Sequence, residues 1–194
     1  MKKEPLFYFA DFETLTDEKG RQFVILAGVA TQRGRIRYFE GENCLSDFFD
    51  YLLEDSSIKR IFFHNFGQFD CIFLLDYLVT FKLEQETPRC IYRNGRYYEI
   101  QWRNLHFVDS YLLVPCSLKE GALLFNRHFF KQKWSAEATP EQWKTYLKHD
   151  VYALREMLLS VNCLLQSIYK NNKNYLMEFS LSSITHKEYL QTVK

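Results

Sequence analysis

Asp11 and Glu13, in the stretch FYFADFETLT (7–16), stand two residues apart at the end of an apolar run. Strand side chains alternate between faces, so both carboxylates point one way while Phe12 points into the core. Two like charges side by side repel, and no packing need puts them there. Either they are solvated acids on an exposed strand end, or a cation sits between them. The second reading needs more carboxylates, and the chain offers two. Asp70, in FFHNFGQFDCIFLL, falls where a strand gives way to a loop and then a helix. Beside Phe69, Cys71 and Ile72 an acid is costly without a partner, although a helix start would itself favour a carboxylate. Asp150, in WKTYLKHDVYALREML, shares a helix face with Tyr146 at i, i+4 spacing. Leu154 continues that face into an apolar stripe, so Asp150 is a residue of the core boundary, ordinary or functional. Four acids converging on one pocket would require divalent metal. Two Mg²⁺ or Mn²⁺ ions about 3.5–4 Å apart would turn them into a phosphoryl-hydrolysis site. Carboxylate oxygens suit hard cations, and the lack of a Cys/His cluster argues against zinc.

These acids need a frame. Residues 5–12 read as a strand, with two more at 23–32 and 35–41 separated by a turn at Gly34. Residues 46–55 have helical spacing, with Ser46 as the cap. A fourth strand is expected at 59–65 and a helix at 69–79. Asn94-Gly95 centres a hairpin over 90–102, since both turn residues tolerate positive φ. Another strand follows at 105–113, then a short helix over 117–126 capped by Ser117. Thr139 caps a long helix and Pro140 takes its first position; Leu147, Leu154, Met157, Val161, Leu164 and Ile168 form its buried stripe. A last helix is expected over roughly 175–192. Three strands, then alternating helices and strands, predict an α/β fold with a mixed sheet flanked by helices.

At 194 residues the chain can bury a full core, and it is read as one domain over 1–194. It is 47% hydrophobic and 25% charged, a globular profile rather than a disordered one. With a net charge of +1, any nucleic-acid surface must be local. Cys44, Cys71, Cys90, Cys116 and Cys163 are scattered, with no C-x-x-C. That fits buried thiols in a reducing, intracellular compartment. The N-terminal apolar run is broken by Asp11 and Glu13, so it does not read as a signal peptide. The uncharged stretch from Met157 to Tyr169 is too short to span a bilayer, and no membrane partner is expected.

Asp11-Phe12-Glu13-Thr14, HNFGQFD and YLKHD resemble the three motifs of DEDDy 3′→5′ exonucleases: D-x-E, N-x₂₋₃-F-D and Y-x₃-D. More narrowly, HNFGQFDCIFLLDYL, VDSYLLVPCSLKE and SLSSIT resemble the proofreading domain of protein-primed family-B DNA polymerases of phages and linear plasmids. The resemblance runs from about residue 5 to 185. It implies an RNase-H-like (DnaQ-like) exonuclease fold whose first three strands are antiparallel. It also implies roles. Asp11, Glu13 and Asp150 hold the metal that activates water; Asp11 and Asp70 serve the metal at the leaving 3′ oxygen. Tyr146 orients the water. His149 is not an alternative base, because one residue from Asp150 it points about 100° away on the helix. The subclass with a histidine base puts it where this chain has Thr145. Thr14, His64, Asn65, Phe69, Ser117 and Leu118 match positions that touch the primer end. Each has a plain reading too: Phe69 as core, Ser117 as a helix cap, His64 as a satisfied strand-end histidine. Lys131, in KQKW, resembles a lysine that steadies the scissile phosphate; Lys133 competes for that role, and both also read as surface lysines. One departure stands out. The related S-L-x-x-h motif carries a hydrophobic residue where this chain has Gly121.

The activity this implies is a proofreading-type 3′→5′ exonuclease. It would release nucleoside monophosphates from single-stranded or frayed DNA ends with two Mg²⁺ or Mn²⁺ ions, acting as a monomer. A polymerase domain and a terminal protein are the partners expected in a full-length relative. No polymerase signature follows within these residues, so the expectation is an exonuclease domain, whether part of a polymerase or a stand-alone nuclease. Two alternatives remain at this level: a nuclease trimming RNA 3′ ends, which turns on 2′-OH contacts, and a non-catalytic nucleic-acid-binding scaffold of the same fold.

Overall fold

A computed structural model describes residues 6–82, 84, 86–125, 128–129, 138–178 and 180–192. Its centre is a seven-stranded mixed sheet. The strands are β1 (Leu6–Thr16), β2 (Gln22–Thr31), β3 (Ile36–Glu40), β4 (Lys59–Phe63), β5 (Arg89–Arg93), β6 (Arg96–Trp102) and β7 (Leu105–Asp109), in the order β3-β2-β1-β4-β7-β6-β5. As the resemblance implies, β1, β2 and β3 are antiparallel. β4 then pairs parallel with both β1 and β7, and β6 with β5 forms the expected hairpin beyond β7. Asn94 and Gly95 have φ of 52° and 75°, the left-handed pair that a two-residue hairpin turn requires.

Alternation along β1 divides the core. Phe7 and Phe9 enter a cluster under α3 (Leu118–Phe125) and α4 (Pro140–Ile168), with Leu147, Val151, Leu154 and Met157. Tyr8, Ala10 and Phe12 enter the cluster on the other face, under α1 (Cys44–Leu53) and α2 (Asp70–Phe81), with Phe48, Phe49 and Leu74. Asp11 and Glu13 have the parity of Phe7 and Phe9, so β1 aims them at the α4 side. α4 begins with the expected cap. Thr139 Oγ1 accepts the Gln142 N–H at 3.3 Å, and Gln142 Oε1 accepts the Thr139 N–H at 2.7 Å.

Several expectations are corrected. β1 does not stop near residue 12 but runs to Thr16, so Asp11 and Glu13 lie within a paired strand rather than on its frayed end. α1 starts at Cys44 with Asn43 before it, which puts Ser46 inside the helix instead of at its cap; Cys44, itself buried, carries the helix back toward the core. The buried stripe of α4 ends at Val161. Leu164 and Ile168 are about half exposed because the helix has run past the sheet. The final helix divides into a 3₁₀ turn at Tyr175–Met177 and α5 (Leu181–Thr192). Cys44 and Cys71 are buried as expected, whereas Cys90 and Cys163 are exposed. Among the described residues, no helix is long and apolar enough to cross a membrane.

Two glycines set helix positions through close approach. A Cβ on Gly28 would lie 2.8 Å from Leu147 Cδ2, so the missing side chain lets α4 settle onto β2 at the register position of Asp11. A Cβ on Gly121 would lie 2.2 Å from Met157 Sδ. There the helix pair α3–α4 fills with the Met157 thioether the space that a hydrophobic side chain would take from the other side.

Candidate active site

β4 ends at Phe63, and its pairing with β1 covers only Leu6–Phe9. β1 continues for seven residues beyond Phe9, paired on the β2 side alone. A crevice therefore opens where the chain leaves β4 at His64. Such a space beyond the carboxyl ends of parallel strands is where open α/β sheets take ligands. A cavity of about 950 Å³ fills it, at the upper end of the usual range for ligand sites.

Asp11, Glu13, Thr14, His64, Asn65, Phe69, Asp70, Ser117, Leu118, Tyr146 and Asp150 all line this one cavity. Four separate stretches of chain thus converge. β1 supplies Asp11, Glu13 and Thr14. The turn after β4 supplies His64, Asn65 and Phe69, and the first residue of α2 supplies Asp70. Ser117 and Leu118 come from the start of α3, and Tyr146 and Asp150 from one face of α4. Glu13, Asp70 and Asp150 are largely buried, at 9%, 4% and 7% exposure; Asp11 and Tyr146 are half-buried. Lys131 and Lys133 lie outside the described residues.

The donors are all carboxylate oxygens, the set that Mg²⁺ and Mn²⁺ prefer, and buried acids sharing one wall need neutralising charge. In that chemical sense the residues fit a divalent ion. Among the described residues, no group of three or more His, Cys, Asp or Glu side chains is arranged as a metal site. The fit accordingly lies in donor type and shared cavity, not in a formed coordination sphere.

The remaining wall is held by hydrogen bonds. His64 Nε2 lies 2.8 Å from the Cys116 carbonyl oxygen and Nδ1 lies 2.9 Å from Ser110 Oγ. A carbonyl only accepts, so Nε2 donates there, while Nδ1 shares a hydrogen bond with the Ser110 hydroxyl. His64 thereby ties the turn after β4 to the segment after β7. Ser117 does cap α3: its Oγ accepts the Glu120 N–H at 3.2 Å, and the Glu120 carboxylate takes the Ser117 N–H and O–H at 2.9 and 2.7 Å. Those Ser117 hydrogen bonds hold the Glu120 carboxyl below its ordinary range. Phe69 is not core. It is 37% exposed and meets Phe73 edge-on at 5.4 Å. Burial pushes the Cys71 thiol, next to Asp70, up to about 11, with the Asp70 and Asp109 charges adding to it.

Sequence reasoning missed three contributors. Tyr111 and Lys119 line the cavity, and Asp109 lies behind it without exposed surface. Asp109 Oδ2 accepts the Gly67 N–H at 3.0 Å and pairs with Arg96 Nε at 3.0 Å; Oδ1 accepts the Tyr111 N–H at 3.0 Å. Arg96 also donates to Asn65 Oδ1 and lies over the Tyr111 ring at 4.4 Å. The signal was a lone acid closing an apolar strand, in FVDS, which is uninformative without its partners.

Comparison with known proteins agrees with this architecture. The family model described as DNA polymerase type B, organellar and viral, matches residues 54–141. No curated protein matches the sequence significantly. Among solved structures, phi29 DNA polymerase with primer-template DNA and incoming nucleotides superposes with a TM-score of 0.73 at 18% identity, over 99% of this chain and 35% of that one. The same polymerase complexed with single-stranded DNA gives 0.67 at 20% identity, over 88% of this chain and 33% of that one. NrnC of Brucella melitensis gives 0.50 at 19% identity, over 84% and 74%. The chain spans about a third of the length of the phi29 polymerase. It resembles the exonuclease domain of protein-primed family-B DNA polymerases, and its fold is RNase-H-like.

Proposed function

We propose that this chain is an exonuclease domain that hydrolyses single-stranded or frayed DNA from the 3′ end, releasing nucleoside monophosphates. One observation carries the reading: four carboxylates and a tyrosine, from three distant motifs, line a single cavity at the ends of the parallel strands. The complexes of phi29 polymerase with single-stranded and primer-template DNA support DNA as the ligand.

In this mechanism Asp11, Glu13 and Asp150 would hold one divalent ion, and Asp11 and Asp70 would serve a second. Bound there, Mg²⁺ or Mn²⁺ would activate a water at neutral pH and stabilise charge on the leaving 3′ oxygen. The chain's own residues do the rest. Tyr146, one turn before Asp150 on α4, hydrogen-bonds the attacking water and fixes its line of approach. Thr14 and Asn65 hold the terminal nucleotide. Phe69, exposed at the mouth, offers a face for a base. Ser117 and Leu118 shape the wall opposite, where Lys119 adds positive charge for the phosphates. Lys131, or Lys133 in its place, would steady the scissile phosphate.

Shortening of a 5′-labelled oligodeoxynucleotide in Mg²⁺ or Mn²⁺, abolished by EDTA and by Asp11→Ala, tests the reading. An RNA oligonucleotide in parallel reports the sugar preference. A wild-type protein that leaves both intact in either metal would remove the nuclease assignment.

A further inference from the structure

The hairpin β5–β6 carries a feature that the cavity chemistry does not use. From Thr87 to Tyr98 the chain has three arginines, Arg89, Arg93 and Arg96, and no acid. In a protein of net charge +1 this is a marked local excess. β5 is the outermost strand of the sheet, and all five of its residues are exposed. The hairpin also sits directly against the cavity. A Cβ on Gly67 would lie 2.2 Å from the Tyr97 carbonyl oxygen, so the turn bearing Asn65 and Phe69 packs on β6 without a gap.

Register fixes which way the arginines face. Arg93 pairs with Arg96 and Tyr92 with Tyr97 across the hairpin, and directly opposed residues project to the same side. Tyr97 packs into the cluster under α2. Its neighbour Arg96 therefore projects to the other side, the side of Asp11, Glu13 and α4, and Arg93 does so with it. The ladder shifts register between Ile91 and Tyr92, but Arg89 pairs with Gln101, whose neighbours Ile100 and Trp102 enter the cluster under α2, so Arg89 shares that side, about 13 Å farther along β5. Arg96 is already engaged by Asp109, Asn65 and Tyr111. Among the described residues no carboxylate forms a salt bridge with Arg93 or Arg89. The result is a row of cations that starts at the cavity wall and leads away from it.

We propose that this face of β5 is a track for the phosphates of single-stranded DNA, gripping the strand several nucleotides upstream of the 3′ end in the cavity. The occupant follows from charge and continuity: the cavity admits a strand end, and the strand leaving past Asn65 meets Arg93 and then Arg89. A spaced row of guanidinium groups suits successive phosphates, while the exposed strand has no pocket that would select a base. The proposal rests on the nuclease reading above and extends it to the strand outside the cavity.

The test measures binding and cutting separately, using fluorescein-labelled oligothymidylates of three and twelve nucleotides. Binding is followed by anisotropy in EDTA, cutting in Mg²⁺. Each phosphate contact contributes about 0.7 to the slope of log affinity against log salt for single strands. The double variant Arg89→Ala/Arg93→Ala should lower that slope on the 12-mer by about 1.4. It should raise KM on the 12-mer about tenfold more than on the 3-mer, with kcat the same on both. Tyr92→Ala, on the opposite side of the hairpin, should match wild type in both readouts. An unaltered salt slope and an unaltered ratio of KM values in the double variant would overturn the track while leaving the nuclease reading intact. A loss in Tyr92→Ala equal to that of the double variant would overturn it as well, since the face would not matter. Wild-type protein that binds the 12-mer but cuts nothing would remove the nuclease reading and keep the track.

Discussion

Arg96 Nε lies 3.0 Å from Asp109 Oδ2, and Asp109 has no exposed surface. Because the same carboxylate accepts the Gly67 and Tyr111 amides, one acid joins the hairpin, the turn carrying Asn65 and Phe69, and the segment after β7. Asp109→Ala leaves a mostly buried guanidinium uncompensated and two amides without their acceptor. Breaking a buried pair from one side costs about 3–5 kcal/mol, so the urea midpoint should fall by a corresponding amount. Asp109→Asn keeps an acceptor and should lose less. A wild-type midpoint for the alanine variant would mean that the carboxylate does not hold this corner together.

Gly121 and Met157 make a second tight relationship, and it explains a departure in the sequence. A hydrophobic residue at 121 competes with Met157 for one space. Gly121→Leu should therefore destabilise by about 1–3 kcal/mol, the usual cost of overpacking, despite the better helix propensity of leucine. Adding Met157→Ala should recover part of that loss, and a double-mutant cycle reads the coupling. Additive losses would show that the two positions do not share the space.

How much of this was legible beforehand depended on the range of the interaction. The Asn94-Gly95 turn and the Thr139–Gln142 cap are local, and their residue types report them directly. The mixed sheet followed from strand order, whereas its antiparallel opening came from the resemblance. The length of β1 did not follow, because Glu13 and the polar Thr14 and Thr16 interrupt the apolar run, and pairing with β2 carries the strand on. Ser46 was misread because a good capping residue lay two positions inside a helix whose start is set by burial of Cys44. That Asp11, Glu13, Asp70 and Asp150 share a cavity was legible because acids set in apolar stretches stand out by residue type. Tyr111 and Asp109 were not, because their partners Arg96 and Gly67 are distant in sequence and nothing in VDSY announces them.

If the four acids serve divalent ions, removing one separates activity from stability. Asp11→Ala and Asp70→Ala should lose several orders of magnitude in turnover, the scale of an essential catalytic group. In EDTA both should melt at or above the wild-type temperature, because like-charge repulsion is relieved. Millimolar Mn²⁺ should raise Tm for wild type and less for either variant, by linkage. An Asp70→Ala protein with near wild-type turnover would take Asp70 out of the site.

Tyr146 should show a graded effect. In the proposed mechanism its phenol positions water that the ions activate, so Tyr146→Phe should cost about 10- to 10³-fold in kcat. Asp150→Ala removes a ligand and should cost more. Single-turnover rates at saturating Mn²⁺ on both variants decide the order, and a larger loss for Tyr146→Phe would invert the two roles.

The final prediction concerns the form of the DNA end. A 3′ terminus must leave its duplex partner before its last phosphodiester can enter a cavity lined by residues from four stretches of the chain. Unpairing and unstacking cost a few kcal/mol, least for a mismatched base. Phe69 is the exposed aromatic at that mouth, held edge-on by Phe73 at 5.4 Å, and a base stacked on such a ring is worth about 1–3 kcal/mol by alanine substitution. Initial rates should therefore rank single strand first, mismatched primer end second and matched end last. Phe69→Ala should lower the rate on mismatched and matched ends more than on single strands, because stacking offsets the cost of fraying only where there is fraying to offset. The Mn²⁺ concentration for half-maximal rate should stay at the wild-type value, since Phe69 holds no metal. Three 5′-labelled substrates and a metal titration measure all of this, and equal rates on the three ends would mean that unpairing does not limit the reaction and that Phe69 has no part in it.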